Sequence, residues 1–244
     1  MKEQNRNGFL NKQGEDDLQT LNGIDYLAAG NLESSKVIVI MHGYGASAND
    51  LYPLHKYWDP AGEYCWYFLN GVIDLQMSPF MPARAWFQID MEAYERQVQT
   101  GEFRKLSATR PKGIDESRDQ VLGFISKLDL AGKKLMLGGF SQGAMMSLEL
   151  SFYVQPQISG LLLLSGSFIE EFGWTPQFDK LKGLKVFQTH GTGDAVLSFA
   201  EAERLNQCLV SAGAESEWLS FSGGHEIPPN VVTAATQYIK SQFI

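Results

Sequence analysis

The residues best suited to chemistry in this sequence lie in Gly139-Phe140-Ser141-Gln142-Gly143, which fits the pattern G-x-S-x-G. An apolar run at residues 134–140 leads straight into the serine, and an apolar helical pattern follows it. This strand-turn-helix context is typical of a nucleophile elbow, a tight and strained turn that exposes a serine hydroxyl. Glycine two residues before and after the serine avoids collisions in such a turn. We therefore predict that Ser141 is a nucleophile.

A serine hydroxyl is a weak nucleophile and needs a base, usually a histidine held by a carboxylate. Of the four histidines, His190 and His225 follow Ser141, as the order serine, acid, histidine requires. His225 lies in a glycine-rich loop between the last strand and the last helix, where a base can reach the serine. We interpret His190 as a structural residue that closes a strand and shapes the next loop. That loop carries Asp194, the predicted acid.

Two other carboxylates compete with Asp194 for the role of the acid. Asp179 lies before its strand and therefore at the wrong end of the sheet. Glu226 adjoins the predicted base and could not easily orient it. Asp194 is the acid that the position in the chain favours.

An oxyanion that develops next to the serine needs two hydrogen-bond donors. The first predicted donor is the backbone N–H of Gln142, the residue after the nucleophile. The second should come from the loop after an early strand, and residues 41–47 contain two glycines that allow a close backbone approach. We assign the second donor to the backbone N–H of Tyr44. His42 is predicted to brace this loop rather than to react.

The elements that must position these residues alternate between strand and helix. Apolar runs typical of buried strands cover residues 37–41, 64–69, 134–140, 160–164 and 184–189. Residues 217–221 alternate in polarity, as an edge strand does. Helical spacing of apolar residues marks the segments 121–128, 145–152, 199–209 and 231–239. The pattern predicts an α/β fold with a mostly parallel central sheet and helices on both faces. In such a sheet, functional groups belong at the carboxyl ends of the strands.

Residues 76–112 form the least regular segment, with three prolines, the pair Trp86-Phe87 and a charged stretch. We interpret the segment as a cap-like excursion from a single domain, residues 1–244, that walls or covers the site. A helix is predicted around residues 91–98. A surface connection without a role in function is the alternative. Trp86 and Phe87 are predicted to line an apolar acyl pocket, although core packing would use the same residue types.

The composition limits the partners of this chain. Its 244 residues are 44% hydrophobic and carry a net charge of -8, which disfavours nucleic acid or an anionic membrane as the main partner. Cys65 and Cys208 have no metal-like spacing, and we interpret both as small buried hydrophobic residues. Residues 1–17 lack the pattern of a secretory signal, and no apolar run is long enough to span a membrane. We expect a cytoplasmic enzyme without integral membrane association.

Four motifs together resemble the phospholipase/carboxylesterase family of α/β-hydrolases, which includes acyl-protein thioesterases and small bacterial carboxylesterases. The motifs are His42-Gly43-Tyr44-Gly45, Gly139-Phe140-Ser141-Gln142-Gly143-Ala144, His190-Gly191-x-x-Asp194 and Gly224-His225-Glu226-Ile227. Ala85-Trp86-Phe87 also matches a pocket-side motif of the family. The resemblance covers about residues 30 to 244. It implies an α/β-hydrolase fold, a triad of Ser141, Asp194 and His225, the donors Tyr44 and Gln142, and ester or thioester cleavage without a cofactor or metal.

The sequence departs from that family at three places. Members commonly carry leucine where Tyr44 stands, and a proline often follows the acid where this chain has Ala195-Val196. The segment 91–112 is longer than in the compact members.

The sequence thus predicts a serine hydrolase that cleaves a small-molecule ester or acyl substrate through an acyl-enzyme intermediate. One alternative is a lysophospholipase or acyl-protein thioesterase that acts on long-chain substrates, and another is a peptidase or a lipase. A third is a non-catalytic ligand-binding protein on a hydrolase scaffold, against which the intact triad and both glycine loops argue. A homodimer is a further expectation, because some members of the family form dimers.

Overall fold

The computed structural model describes residues 17–76, 83–103, 105–154 and 158–243. Within these ranges, the strands are β1 (Gln19–Leu21), β2 (Ile24–Gly30), β3 (Lys36–Met41), β4 (Cys65–Leu69), β5 (Ile73–Asp74), β6 (Arg84–Ala85), β7 (Lys134–Phe140), β8 (Gly160–Leu164), β9 (Lys185–Gly191) and β10 (Glu215–Phe221). Eight of them form one sheet in the spatial order β1-β2-β4-β3-β7-β8-β9-β10, and β5 pairs with β6 separately. The strands predicted from apolar runs are confirmed, each with bounds within two residues.

The sheet is parallel over most of its width. The pairs from β4 through β3, β7, β8 and β9 to β10 are all parallel, and β2 joins β4 in the antiparallel direction. β1 adds a short antiparallel edge to β2. The apolar pattern of the sequence predicts neither β1 nor β2. β1 has three residues that are exposed or half-buried, and its strand conformation depends on its partner rather than on an apolar pattern.

Helices cover both faces of the sheet, as predicted. The helices are α1 (Ala48–Leu51), α2 (His55–Trp58), α3 (Met91–Thr100), α4 (Ile114–Ile125), α5 (Gln142–Ser151), α6 (Glu171–Trp174), α7 (Phe199–Ser211) and α8 (Pro229–Gln242). α4, α5 and α7 bury their apolar side chains in one core cluster. α1, α2 and α8 do so in a second cluster on the opposite face. In the described part of the chain, no helix is long and apolar enough to cross a membrane.

Strand β3 shows why the central strands have continuous apolar runs. Val37, Val39 and Met41 point into the first core cluster. Ile38 and Ile40 point into the second. Because successive side chains of a strand point to opposite faces, a strand covered on both sides needs apolar residues at every position. β10 lies at the edge of the sheet, and its half-exposed pattern fits the polar alternation that predicted it.

The two cysteines differ in burial. Cys65 is buried on β4, as predicted. Cys208 is only half-buried on α7, so the prediction of a buried residue is wrong there. Both are free thiols.

In its described residues, the irregular segment contains one α-helix, α3, near the predicted position. The side chain of Asp90 accepts a hydrogen bond from the Ala93 N–H at 2.9 Å, which caps the helix start. Gly101 ends it in the left-handed conformation with φ of 75°. Pro79 and Pro82 lie outside the described residues.

The far end of the segment is tied to α5 by a cluster of charges. The Arg110 guanidinium contacts Asp115 at 2.6 Å and Glu149 at 2.8 Å, and it also contacts Glu170. Glu149 lies on α5 with a fully buried side chain, and it accepts a further bond from Trp174 Nε1 at 2.7 Å. Both oxygens of the buried Glu149 carboxylate therefore have hydrogen-bond donors. The ion pair with Arg110 holds the end of the irregular segment against α5.

We predict that Glu149→Leu destabilises the protein by about 3 kcal/mol, because it leaves Trp174 Nε1 and a guanidinium without their buried partner. Urea unfolding at neutral pH measures this change. The control Glu92→Gln removes an exposed carboxylate that pairs with Arg96 at 3.8 Å, and it should change stability by less than about 0.5 kcal/mol. Equal stability of the Glu149→Leu protein and the wild type would contradict the importance of the cluster.

Candidate active site

Ser141 stands at the turn between β7 and α5, in the strained conformation expected of an elbow. Its φ is 56° and its ψ is -118°, a region that residues with a side chain rarely adopt. Such a conformation costs about 1–3 kcal/mol and persists only when the surroundings enforce it. The residue is 9% exposed, so only a small part of it faces the cavity described below.

The two glycines of the pentapeptide allow the turn because three backbone segments meet there. A Cβ atom on Gly139 would lie 2.5 Å from the Met41 carbonyl oxygen at the end of β3. A Cβ atom on Gly143 would collide with the same carbonyl group. Both positions therefore require glycine, and the close approach brings α5 against the end of β3.

Three predicted side chains form a connected chain of hydrogen bonds at the carboxyl ends of the strands. His225 Nε2 lies 2.8 Å from Ser141 Oγ. His225 Nδ1 lies 2.7 Å from the Asp194 Oδ2 carboxylate oxygen. Because a carboxylate can only accept, Nδ1 carries the proton of a neutral ring, and Nε2 is left to accept the serine proton. Asp194 follows β9 and His225 follows β10, so neighbouring strand ends supply both residues.

The Asp194 carboxylate is buried and saturated with donors. Its Oδ1 atom accepts hydrogen bonds from the N–H groups of Val196 at 2.8 Å and Leu197 at 2.9 Å. Its Oδ2 atom also lies 3.2 Å from His190 Nε2. Burial acts to raise the pKa of Asp194, but the bonds from His190, His225 and Leu197 outweigh burial and hold the pKa well below its usual range. The carboxylate is charged at neutral pH.

The remaining candidate acids and base occupy other positions. His190 is fully buried, and its Nε2 atom lies 3.1 Å from the Leu197 carbonyl oxygen, in line with the interpretation that it shapes this loop. Asp179 is exposed in a 3₁₀ helix, Thr175–Leu181, that precedes β9. Glu226 is exposed and accepts a bond from the Gly224 N–H at 3.2 Å.

Two backbone N–H groups near Ser141 have no acceptor in the described residues. Gln142 is the first residue of α5, so its N–H has no partner within the helix. The N–H of Tyr44 likewise has no acceptor among the residues that the structure describes. The loop of Tyr44 lies against the serine, because a Cβ atom on Gly43 would be 3.4 Å from Ser141 Cβ. Such an arrangement can hold a developing negative charge.

The His42 side chain holds the loop of Tyr44 in place through two hydrogen bonds to the backbone. Its Nε2 atom accepts a hydrogen bond from the Gly71 N–H at 2.9 Å, and its Nδ1 atom lies 2.6 Å from the Gly43 carbonyl oxygen. A neutral ring that donates from Nδ1 satisfies both contacts. Burial is the main cause that lowers the pKa of His42 from 6.5 to about 4.

The adjacent aromatic residues Trp86 and Phe87 have different surroundings. Trp86 is fully buried; its Nε1 atom donates to the His42 carbonyl oxygen at 2.9 Å, and it does not line the cavity at Ser141. Its predicted place in the pocket lining therefore differs from the structure, because the indole is used to brace the His42 loop. Phe87 does line the cavity. The Gln142 side chain holds both residues: it accepts from Trp86 N at 2.7 Å and donates to Phe87 O at 2.8 Å.

A cavity of about 660 Å³ opens at the serine. Its lining is mainly apolar, and α3 contributes Met91 and Tyr94 to one wall. A second cavity of about 670 Å³ shares Phe87, Ile89 and Leu106 with the first. Among the residues that the structure describes, no cluster of three or more His, Cys, Asp or Glu side chains could bind a metal ion.

The parallel sheet, the elbow and the three loops at its carboxyl edge define the chain as an α/β-hydrolase. The sequence model described as phospholipase/carboxylesterase matches residues 22–243, and the chain belongs to that family. It is accordingly a hydrolase of carboxylic esters or thioesters.

Individual proteins agree with this assignment. The chain is 27% identical over 224 residues to acyl-protein thioesterase 1 of Eremothecium gossypii. The matched region covers 88% of this chain and 91% of that protein. Among solved structures, esterase PE8 matches with a TM-score of 0.72 and 23% identity, over 88% of this chain and 96% of its own. Acyl-protein thioesterase 2 of Zea mays matches with a TM-score of 0.70 and 19% identity, over 90% of this chain and 99% of its own. The two structural matches support the fold.

We predict that acid destabilises the protein through His42. The unfolded chain takes up this proton below pH 6.5 and the folded chain only below about pH 4, so the stability is complete above pH 6.5 and falls through that window. The loss should be on the order of 2–3 kcal/mol. Urea unfolding above pH 6.5 and near pH 4 measures it. His42→Asn should flatten this dependence and His55→Asn should keep it, whereas an unchanged slope in His42→Asn would contradict the assignment.

Proposed function

We propose that Ser141, His225 and Asp194 are the triad of an esterase or thioesterase that works through an acyl-enzyme. The observation that carries the proposal is the unbroken chain from Ser141 Oγ to His225 at 2.8 Å and on to Asp194 at 2.7 Å. A strained serine beside a histidine with a free acceptor nitrogen is an arrangement suited to acyl transfer.

In the first half of the reaction, the serine is acylated. Ser141 Oγ attacks the carbonyl carbon, and its proton moves to His225 Nε2 as the new C–O bond forms. The Asp194 carboxylate stabilises the imidazolium and keeps its orientation. When the tetrahedral intermediate collapses, the bond to the alcohol or thiol breaks, and the leaving group takes the proton from His225.

The negative charge of the tetrahedral intermediate falls between the N–H groups of Tyr44 and Gln142 in this proposal. Loss of one such donor costs about 10²–10³-fold in kcat in comparable sites. The support is the absence of a competing acceptor for either N–H in the described residues. The Gln142 side chain, fixed on Trp86 and Phe87, holds the start of α5 in place.

In the second half of the reaction, water replaces the leaving group. His225 takes a proton from the water, the hydroxide attacks the acyl carbon, and the serine leaves with the proton returned by His225. The products are a carboxylic acid and the free enzyme. The residues named here supply every proton transfer of the cycle.

The acyl group of a small-molecule ester would occupy the cavity of about 660 Å³ against Phe87 and Met145. A second candidate substrate is a long-chain acyl thioester, and the observation that favours it is the similarity to proteins named acyl-protein thioesterases. Rates with p-nitrophenyl esters from acetyl to palmitoyl, beside one acyl thioester, distinguish the two.

The segment 76–112 completes the proposal as the cap of a single domain, since Met91 and Tyr94 of α3 line the same cavity. A homodimer and a cytoplasmic location stay predictions.

We predict that a fluorophosphonate labels Ser141 and that p-nitrophenyl acetate is hydrolysed. Ser141→Ala should abolish the labelling and lower kcat by a factor on the order of 10⁶, because the nucleophile is removed. Intact-mass spectrometry and a colorimetric assay measure the two effects. Ser126→Ala, at an exposed serine after α4, is the control and should behave as the wild type. A wild-type protein that is neither labelled nor active would remove the proposal.

Asp194→Asn should lower kcat by about 10⁴-fold, because an amide at this position favours the wrong tautomer of the base. The matched controls Asp179→Asn and Glu226→Gln alter the two competing carboxylates and should leave kcat near the wild-type value. Steady-state kinetics with p-nitrophenyl acetate measure all three. A large loss in either control, with normal turnover in Asp194→Asn, would mean that another carboxylate orients the base.

A further inference from the structure

Helix α3 has a single buried residue, and that residue is a glutamine. Gln97 is 5% exposed, whereas the other nine residues of α3 are half-buried or exposed. A helix without an apolar buried stripe gains little stability from packing, and specific polar contacts must hold it in place. Gln97 makes such contacts.

The Gln97 side chain is bonded to the loop that carries Asp194. Its Nε2 atom donates to the carbonyl oxygens of Ala195 at 3.1 Å and Val196 at 3.0 Å. An amide nitrogen has two protons, so each carbonyl oxygen takes one. Both partners are acceptors, which fixes the orientation of the amide group.

The same loop is held from inside by the acid. The N–H groups of Val196 and Leu197 donate to Asp194 Oδ1, while the carbonyl groups of Ala195 and Val196 point to Gln97. The loop thus lies between two polar anchors, one on the acid and one on α3. A shift of α3 would pull on the peptide groups that hold the carboxylate.

The cavity of about 660 Å³ at Ser141 is lined by both elements that Gln97 connects, α3 and the Asp194 loop. Met91 and Tyr94 of α3 line this cavity, and so do Val196 and Leu197 of the loop. A group bound in the cavity therefore packs against the helix and the acid loop together, next to the bonds of Gln97.

We propose that Gln97 is a positioning residue, which couples α3 to the Asp194 loop and holds the carboxylate in line with His225. The inference rests on the proposed triad. Gln97 does not touch the reacting atoms; it acts through the carbonyl groups of Ala195 and Val196. The sequence pattern gave no sign of this role, because an isolated glutamine in a polar helix is typical of a solvent-exposed position.

The test replaces Gln97 by an apolar residue of similar length. Gln97→Met should lower kcat for p-nitrophenyl acetate by about 10- to 100-fold, since displacements of about 1 Å in a catalytic array have effects of that order. The KM should stay within about twofold, because the small acetyl group does not depend on α3 for binding. The matched control is Gln99→Met, the same change at an exposed position of the same helix, which should keep the wild-type kcat.

A double-mutant cycle separates positioning from a general structural effect. In the Asp194→Asn background, Gln97→Met should lower kcat by less than about threefold, because the carboxylate that it positions is already gone. An equal loss in both backgrounds would overturn the proposal, as would wild-type kinetics of Gln97→Met. Turnover and fluorophosphonate labelling of the wild type are measured first, so a failure of the triad itself is recognised separately.

Thermal unfolding and a second variant cover the case of a folding defect. Gln97→Glu has the same shape but presents an acceptor to two carbonyl oxygens, and it should lower kcat at least as much as Gln97→Met. Both variants should unfold within a few degrees of Gln99→Met, since Gln97 lies on a largely exposed helix. Unfolded protein in both variants would place Gln97 among the residues that hold the fold and would overturn the proposal.

Discussion

The close approach of α5 to the end of β3 is the constraint on which the site depends. The Met41 carbonyl group lies where a side chain on Gly139 or Gly143 would have to be. The chain can pass this point only through a tight turn, and Ser141 takes up the strain with its positive φ. The same turn exposes the first N–H of α5. One backbone contact thus fixes both Ser141 and the Gln142 N–H, the groups that we propose as the nucleophile and an oxyanion donor.

Buried polar side chains then hold the loops around this turn. His42 binds the backbone of Gly71 and receives the indole of Trp86 on its carbonyl oxygen, while Gln142 bonds to the backbone of residues 86 and 87. Each of these groups is satisfied inside the protein, so each loop has a defined position. A second proton on His42 would have no acceptor at Nε2, because the Gly71 N–H already donates to that atom.

The excursion is joined to the site partly through polar contacts, because its helix α3 buries no apolar side chain. Arg110 ties its end to Glu149 on α5, and Gln97 ties α3 to the Asp194 loop. The excursion is thus attached to α5, the helix that follows Ser141, and to the loop that carries Asp194. Met91 and Tyr94 of α3 line the same cavity as Ser141.

The sequence by itself determined the fold class and the order of the site residues, because local patterns encode both. Continuous apolar runs identify strands covered on both faces, and Ser141 is marked by its glycines. The tertiary structure alone decided what depends on partners distant in the chain. The strand β1 forms only by pairing with β2, the indole of Trp86 turns to a loop 44 residues away, and Gln97 meets carbonyl groups about a hundred residues further on. A hydrogen bond between distant residues leaves no periodic trace in the sequence.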